Sequence, residues 1–282
     1  MKNQNTVPMK PALLKIEQLR PFEGHPYKVQ DNEEMTVLSE SIRESGILSP
    51  LIVRPAGENE YEVISGHRRL YAARKAGLTE VPVLICTLDR DAAAIALVDS
   101  NLHREHILPS EKAFAYKLKM EALAHQGIAC GQVGHKSRDA ISDTDSGRQV
   151  QRYIHLTYLI PELLEKMDKE EIAFSVGVEL SYLDEYSQRD VLEQCEINDC
   201  TPSYSQAWRM HKTDREGLLT RDVIQFIMSE EKPNQRETVK IPTEKLRKFA
   251  PSADLRQLED FVLKACEHYR KYLIRQRGRE ER

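Results

Sequence analysis

Gly66, Arg68 and Arg69 sit close together in Tyr61-Glu-Val-Ile-Ser-Gly-His-Arg-Arg-Leu-Tyr-Ala-Ala-Arg-Lys-Ala-Gly77. The stretch reads as a short apolar strand, a glycine turn and a helix that opens on consecutive cations. A helix start carries partial positive charge and unpaired N–H groups, so each cation there is disfavoured by about 0.3–1 kcal/mol. A bound anion would offset that cost. Gly66 lets a ligand approach the backbone, the free amides point outward, and two guanidiniums add bidentate donors, which together suit a phosphate group. His67, as a neutral imidazole, can donate to a phosphate oxygen. The competing reading has both arginines lying along a surface helix, with His67 a bystander.

The elements that must hold these residues alternate between strand and helix over residues 12–107. Met35, Leu38 and Ile42 recur at helical spacing and stop at Gly46. Leu51-Ile-Val53 and Tyr61-Glu-Val-Ile64 read as strands around a turn at Pro55-Ala-Gly-Glu-Asn59. Val81-Pro-Val-Leu-Ile85 reads as another strand, and Asp89 caps an alanine-rich helix toward Leu102.

From Ser110 the pattern turns helical. Ser110 is the expected N-cap, Ala113, Tyr116, Met120 and Leu123 share one apolar face, and Gly127 closes the helix. After a loop at Gly131 to Gly134, Ser137-Arg-Asp-Ala-Ile-Ser142 and Ser146-Gly-Arg-Gln-Val-Gln-Arg-Tyr-Ile-His155 read as two short helices around a tight turn. The interval between Ile141 and Val150 is short for a helix-turn-helix, which predicts an irregular turn. In the second helix Val150, Ile154 and Thr157 fall on one side, so Arg148, Gln149, Gln151, Arg152 and His155 face out. Arg can bind guanine edges, Gln can pair with adenine, and either can hold a phosphate. A solvated polar face is the plain alternative.

Further along, Thr201-Pro-Ser203 marks a restart and Glu231-Lys-Pro-Asn-Gln235 a linker. Leu255, Leu258, Val262, Ala265, Tyr269 and Tyr272 form a stripe suited to helix packing or a dimer seam.

The 282 residues exceed one typical domain, so two or three units are expected. Apolar residues make up 40% and charged residues 30%, with no apolar run long enough to span a membrane. The polar start of the chain, Met1 to Pro11, lacks the apolar core of a signal peptide, so a cytoplasmic location is expected. Five cysteines without CxxC spacing argue against a disulfide framework and a zinc site. The net charge of −4 is unusual for a nucleic-acid binder, but charge is segregated. Tyr158 to Asp199 holds twelve Asp or Glu against three Lys or Arg, whereas Arg270 to Arg282 holds six Lys or Arg against two Glu. The basic end, with Arg275, Arg277 and Arg279, reads as a disordered tail rather than a phosphate-binding one.

These residues resemble the ParB partition-protein family of plasmid or integrative-element type. Gly46-Ile-Leu-Ser-Pro-Leu-Ile-Val-Arg54 is similar to the family's first box, Ser65-Gly-His-Arg-Arg69 to its second, and Ser100-Asn-Leu-His-Arg104 to its third. The resemblance implies an α+β chain. Residues 1–11 would be a flexible segment, 12–107 a small mixed α/β nucleotide-binding domain, 108–200 an all-α helix-turn-helix domain, and 201–282 a helical, dimerising region with a basic tail. It implies CTP and Mg2+ as cofactors, with nucleotide contacts from Ser65, Gly66, His67, Arg68, Arg69, Asn101 and Arg104, and Asn101 as metal ligand. DNA contacts would come from Ser137, Arg138, Ser146, Arg148, Gln149, Gln151, Arg152 and His155. The implied partners are double-stranded DNA, a second copy of the chain and a ParA-type ATPase.

Two departures bear on the nucleotide. His67 stands where the family commonly has Glu, and Ser100-Asn101 where it has Glu-Asn. Asn101 can ligate magnesium through its carbonyl oxygen, but a carboxylate that would add charge to a hard cation's surroundings is missing. Nucleotide binding is therefore expected ahead of hydrolysis, with slow CTP cleavage serving as a switch if it occurs. The expected function is sequence-specific DNA binding in plasmid or chromosome partition, localised to nucleoid or plasmid. Two rivals use the same parts: a transcription regulator or nucleoid-occlusion factor, and a phosphotransferase of ParB fold. Sulfiredoxin-like enzymes are also similar in this domain, but their nucleophilic Cys precedes the His-Arg pair, where this chain has Gly66.

Overall fold

The structure, a computed structural model, describes residues 8–104, 106–126, 141–142, 144–230, 243–250 and 254–280. Five strands form one mixed sheet: β1 (Met9–Lys15), β2 (Leu19–Pro21), β3 (Leu51–Gly57), β4 (Glu60–Ser65) and β5 (Glu80–Cys86), in the order β1-β5-β3-β4-β2. β1 runs antiparallel to β5 and β3 antiparallel to β4, while β3–β5 and β2–β4 are parallel. The first strand begins at Met9, inside the segment expected to be flexible, because Met9 to Pro11 continue the ladder opposite Cys86 to Leu84. β3 likewise continues to Gly57, and the expected turn shrinks to Glu58 and Asn59, with Asn59 at φ 60°.

Alternation along the strands assigns the two faces. Val53, Val63 and Val83 join Met35, Ile42, Leu70 and Ala73 in one core, under helices α1 (Glu33–Ser45) and α2 (His67–Ala76). Ile64, next along β4, joins Ala94, Leu97 and Val98 of α3 (Arg90–Leu102) on the other face. The expected cap and stops are present, Asp89 accepting from Ala92 N–H and Gly46 and Gly77 ending α1 and α2 with positive φ, while Asn32, which accepts from Met35 N–H, is a cap the sequence reading did not name.

α4 (Pro109–His125) connects the sheet unit to the helices that follow. Its N-cap is Leu108 rather than Ser110, because Pro109 fits the first helical position and Ser110 turns its side chain to Asp168. Ala113, Ala115 and Tyr116 of this helix belong to three different cores. Beyond it come α5 (Gly147–His155), α6 (Pro161–Asp168), α7 (Phe174–Leu180), α8 (Glu185–Ile197), α9 (Tyr204–Arg215) and α10 (Arg221–Ser229). Met210, Ile224 and Ile227 share a core with Leu163, Leu180 and Val191, so the compact unit extends to Glu230.

The second unit, Glu231–Arg282, contains α11 (Thr243–Arg247) and α12 (Leu255–Glu280). The backbone of the basic end is helical to Glu280, not a disordered tail. The expected helix stop at Gly127, the loop at residues 131–134 and the short helix near Ser137 lie outside the described residues, as do Ser137 and Arg138 themselves. Among the described residues Cys86, Cys195, Cys200 and Cys266 form no disulfide, and no helix is long and apolar enough to cross a membrane.

Candidate nucleotide pocket and nucleic-acid interface

Gly66 adopts φ 105°, and a Cβ there would lie 3.0 Å from the Leu51 side chain and 3.2 Å from Arg69 Nη2. Glycine is required twice over, for the left-handed backbone and for the close approach. The turn starts α2 directly, Leu70 N–H bonding Gly66 C=O at 2.9 Å, and no side chain caps the helix. Its first amides thus face the pocket chemistry expected from the sequence.

The two arginines that follow diverge. Arg68 reaches Glu34 at 2.9 Å and stays about half exposed, on the rim of the pocket. Arg69 turns the other way and donates to the carbonyls of Ser49 and Pro50, the latter at 2.9 Å, fixing the approach to β3. Only Arg68 is placed for a ligand.

Ser65, Gly66, His67, Arg68, Asn101 and Arg104 line a common pocket of about 30 Å³. A wider cleft of about 500 Å³ shares Lys28, Arg68 and Arg104 with it. Six of the seven expected nucleotide residues, from boxes far apart in sequence, therefore converge, and Arg69 alone stands aside. The fourth wall comes from the loop after β2, which the sequence reading missed: His25, Tyr27 and Lys28. Tyr27 anchors the loop, buried with its hydroxyl directed at Val98 C=O, and the Arg104 guanidinium lies 5.5 Å from its ring centroid. The only sequence signal was a polar proline loop with an aromatic and a cation between strand and helix.

The His25 and His67 rings lie against each other, centroids 3.6 Å apart and planes tilted by 35°. Burial, reinforced by His25 and Arg104, lowers the His67 pKa to about 3. Burial lowers His25 to about 4, against a hydrogen bond to the Tyr27 backbone and with a smaller push from Arg104. Both rings are neutral near pH 7. His67 Nε2 is buried with no hydrogen-bond partner among the described residues.

The second surface is built on α5. Ser146 caps it, accepting from Gln149 N–H, and Val150 and Ile154 are buried as the periodicity predicts. Thr157 falls in the following turn, its hydroxyl bonded to Ile154 C=O. Arg148 is exposed, while Gln149, Gln151, Arg152 and His155 are half-buried. Arg152 donates to Gln149 Oε1 at 3.3 Å and lies 4.9 Å from the Phe174 ring. His155 is occupied internally: Nδ1 is 3.0 Å from Ser181 Oγ, and its ring lies 3.9 Å from Tyr182. Tyr182 in turn stacks on His211 at 4.3 Å with parallel planes, and His211 Nδ1 meets Glu179 at 2.7 Å. This ring column locks α5 against α7 and α9, so His155 positions the helix more than it presents a free edge.

A cleft of about 960 Å³ runs alongside. Arg148, Gln151 and Arg152 form one wall, and Trp208, Lys212 and Arg215 of α9 form the other. The α9 residues escaped the sequence reading because they surface only once α9 packs beside α7.

A mixed sheet presenting an uncapped, glycine-started helix end to a cationic pocket, tied by one long helix to a bundle with an exposed basic cleft, defines a protein of α+β class with two separate candidate sites. Residues 1–102 match the ParB N-terminal domain family. The chain is 38% identical over 160 residues to the chromosome-partitioning protein Spo0J of Thermus thermophilus, covering 56% of this chain and 55% of that one. It is also 38% identical over 119 residues to a nucleoid occlusion protein of Lysinibacillus sphaericus, covering 41% and 40%. Among solved structures it resembles the C-terminally truncated chromosome-partitioning protein ParB of Caulobacter crescentus complexed with CTP-gamma-S, with 28% identity, 62% of this chain and 93% of that one covered, and a TM-score of 0.32. The chain spans about half the length of the curated relatives it matches. The chain is thus similar to ParB/Spo0J proteins, and the family match is confined to its amino-terminal part.

Proposed function

We propose that this chain is a sequence-specific DNA-binding protein of ParB type, acting as a homodimer in plasmid or chromosome partition, with CTP as a switching ligand. The observation that carries this reading is the convergence of the second and third boxes, far apart in sequence, on one pocket that also contains Lys28. DNA would lie along the α5–α9 cleft, with Arg148, Gln151 and Arg152 toward the bases and Lys212 and Arg215 toward phosphates. It would act on the nucleoid or plasmid in the cytoplasm, and a ParA-type ATPase fits as partner.

The two ligands would be coupled through Lys28. Its ammonium meets Asp168 of α6 at 2.9 Å, and the same carboxylate accepts from Ser110 Oγ at 2.6 Å and Ser110 N–H at 3.1 Å. Its backbone N–H donates to Glu111 at 2.7 Å. A phosphate that draws Lys28 away loosens the start of α4 from α6, and DNA that favours one arrangement biases the other. Titrating CTP with and without cognate DNA tests this: an affinity unchanged by DNA removes the coupling, and no affinity in either condition removes CTP.

A nucleoid-occlusion or regulatory role uses the same surfaces and is favoured by the Lysinibacillus relative. Genome-wide mapping separates the two, since one cluster near an origin or the chain's own operon supports partition and scattered sites support regulation. A phosphotransferase reading needs a carboxylate base, and no Asp or Glu lines the narrow pocket among the described residues.

A further inference from the structure

Magnesium is a hard cation that takes oxygen ligands, commonly one or two carboxylates beside the nucleotide's own phosphates. The residues here do not fit it. The narrow pocket holds Lys28, Arg68 and Arg104 and no carboxylate among its described residues. Asn101, the ligand suggested by its box, is buried and commits its amide nitrogen to Leu97 C=O at 2.7 Å and Ser100 Oγ at 3.2 Å, leaving one neutral oxygen.

The carboxylates of the wider cleft are engaged elsewhere. Glu34 pairs with Arg68, Glu111 accepts the N–H groups of Lys28 and Leu108, and Asp168 is held by Lys28 and Ser110. Glu170 stands alone on the rim. Among the described residues no three His, Cys, Asp or Glu gather to hold a metal. His67 occupies the pocket as a neutral ring, with Nε2 buried and without a partner there.

We propose that the nucleotide's phosphates sit where the narrow pocket opens into the wider cleft, directly on Lys28, Arg68 and Arg104, which line both, with the His67 ring at their inner end, and need no divalent ion to bridge them. The inference rests on the nucleotide-binding reading above. Phosphates that displace Glu34 from Arg68 and Asp168 from Lys28 gain three cationic side chains beside a helix start, and an added divalent cation would meet the same cations as repelling neighbours.

Calorimetric titration of the full chain with CTP, in EDTA and in excess magnesium, tests it. The expected result is binding in both, with dissociation constants differing by less than about tenfold. Tightening by magnesium beyond that overturns the inference while leaving the nucleotide reading intact. Absence of binding in both conditions overturns the nucleotide reading as well. His67→Glu, with its fold checked by thermal melting, and Ser100→Glu at an exposed neighbour should each make binding magnesium-responsive. Indifference to magnesium in both folded variants would show that the missing carboxylates are not the cause, and the inference would fall.

Discussion

Arg68 and Arg69 are adjacent in sequence yet about 100° apart around α2, and that rotation separates a pocket-lining residue from one bonded to backbone carbonyls. The Arg68–Glu34 pair is exposed and contributes at most about 1 kcal/mol to the fold. Arg68→Ala should therefore lower CTP affinity by about tenfold or more with little change in melting temperature. Arg69→Ala strips donors from two carbonyls and should destabilise by roughly 1–3 kcal/mol, read by denaturant titration. The adjoining histidines add a pH dependence. Their folded pKa values, about 3 and about 4, lie below the unfolded value of 6.5. The unfolded chain thus binds more protons between those values. Stability is complete above pH 6.5 and falls as pH drops toward 4, with a shallower slope in His67→Gln. The need for Gly66 was legible because backbone chemistry alone demands it. Which arginine faces the ligand was not, since that depends on Leu51 and the Ser49–Pro50 carbonyls crossing over α2.

At the scale of elements, the cap and buried positions of α5 were legible, Ser146 before Val150 and Ile154, but the inward turn of His155 toward Ser181 and Tyr182 was not. The sequence could not show that this face would become one wall of a cleft. Arg152→Ala should weaken specific DNA binding by roughly 1–3 kcal/mol if it reads a base, measured by competition against mutated sites. Lys212→Ala with Arg215→Ala should instead weaken all sequences alike and reduce the salt slope by about 0.9 for each lost phosphate contact. The loop carrying His25, Tyr27 and Lys28 was invisible for a related reason. It has no periodicity, and its place is fixed by Tyr27 reaching across to α3.

For the whole molecule, composition and strand–helix alternation set the architecture, and the first and second boxes fell on the expected elements. The extent of the helical unit did not follow from sequence, because Thr201-Pro-Ser203 looks like a domain break. Ser203 in fact caps α9, whose Ala207 and Met210 return to the preceding core. The unit beyond Glu230 carries exposed Phe261, Leu263, Tyr269 and Tyr272 on α12. If a second copy covers the face shared by Phe261, Tyr269 and Tyr272, Phe261→Glu with Tyr269→Glu should shift the protein from dimer to monomer in sedimentation, without altering the melting transition of the unit ending at Glu230.

α4 supplies a shared wall to three cores, through Ala113, Ala115 and Tyr116. Cleavage cannot separate the sheet half from the helical half at that helix. A fragment ending before residue 109 would bare the α3 surface that Ala115 covers, and one beginning after residue 125 would leave Val150 and Leu156 facing water. Proteolytic products cut inside α4 should accordingly aggregate rather than persist as independent pieces.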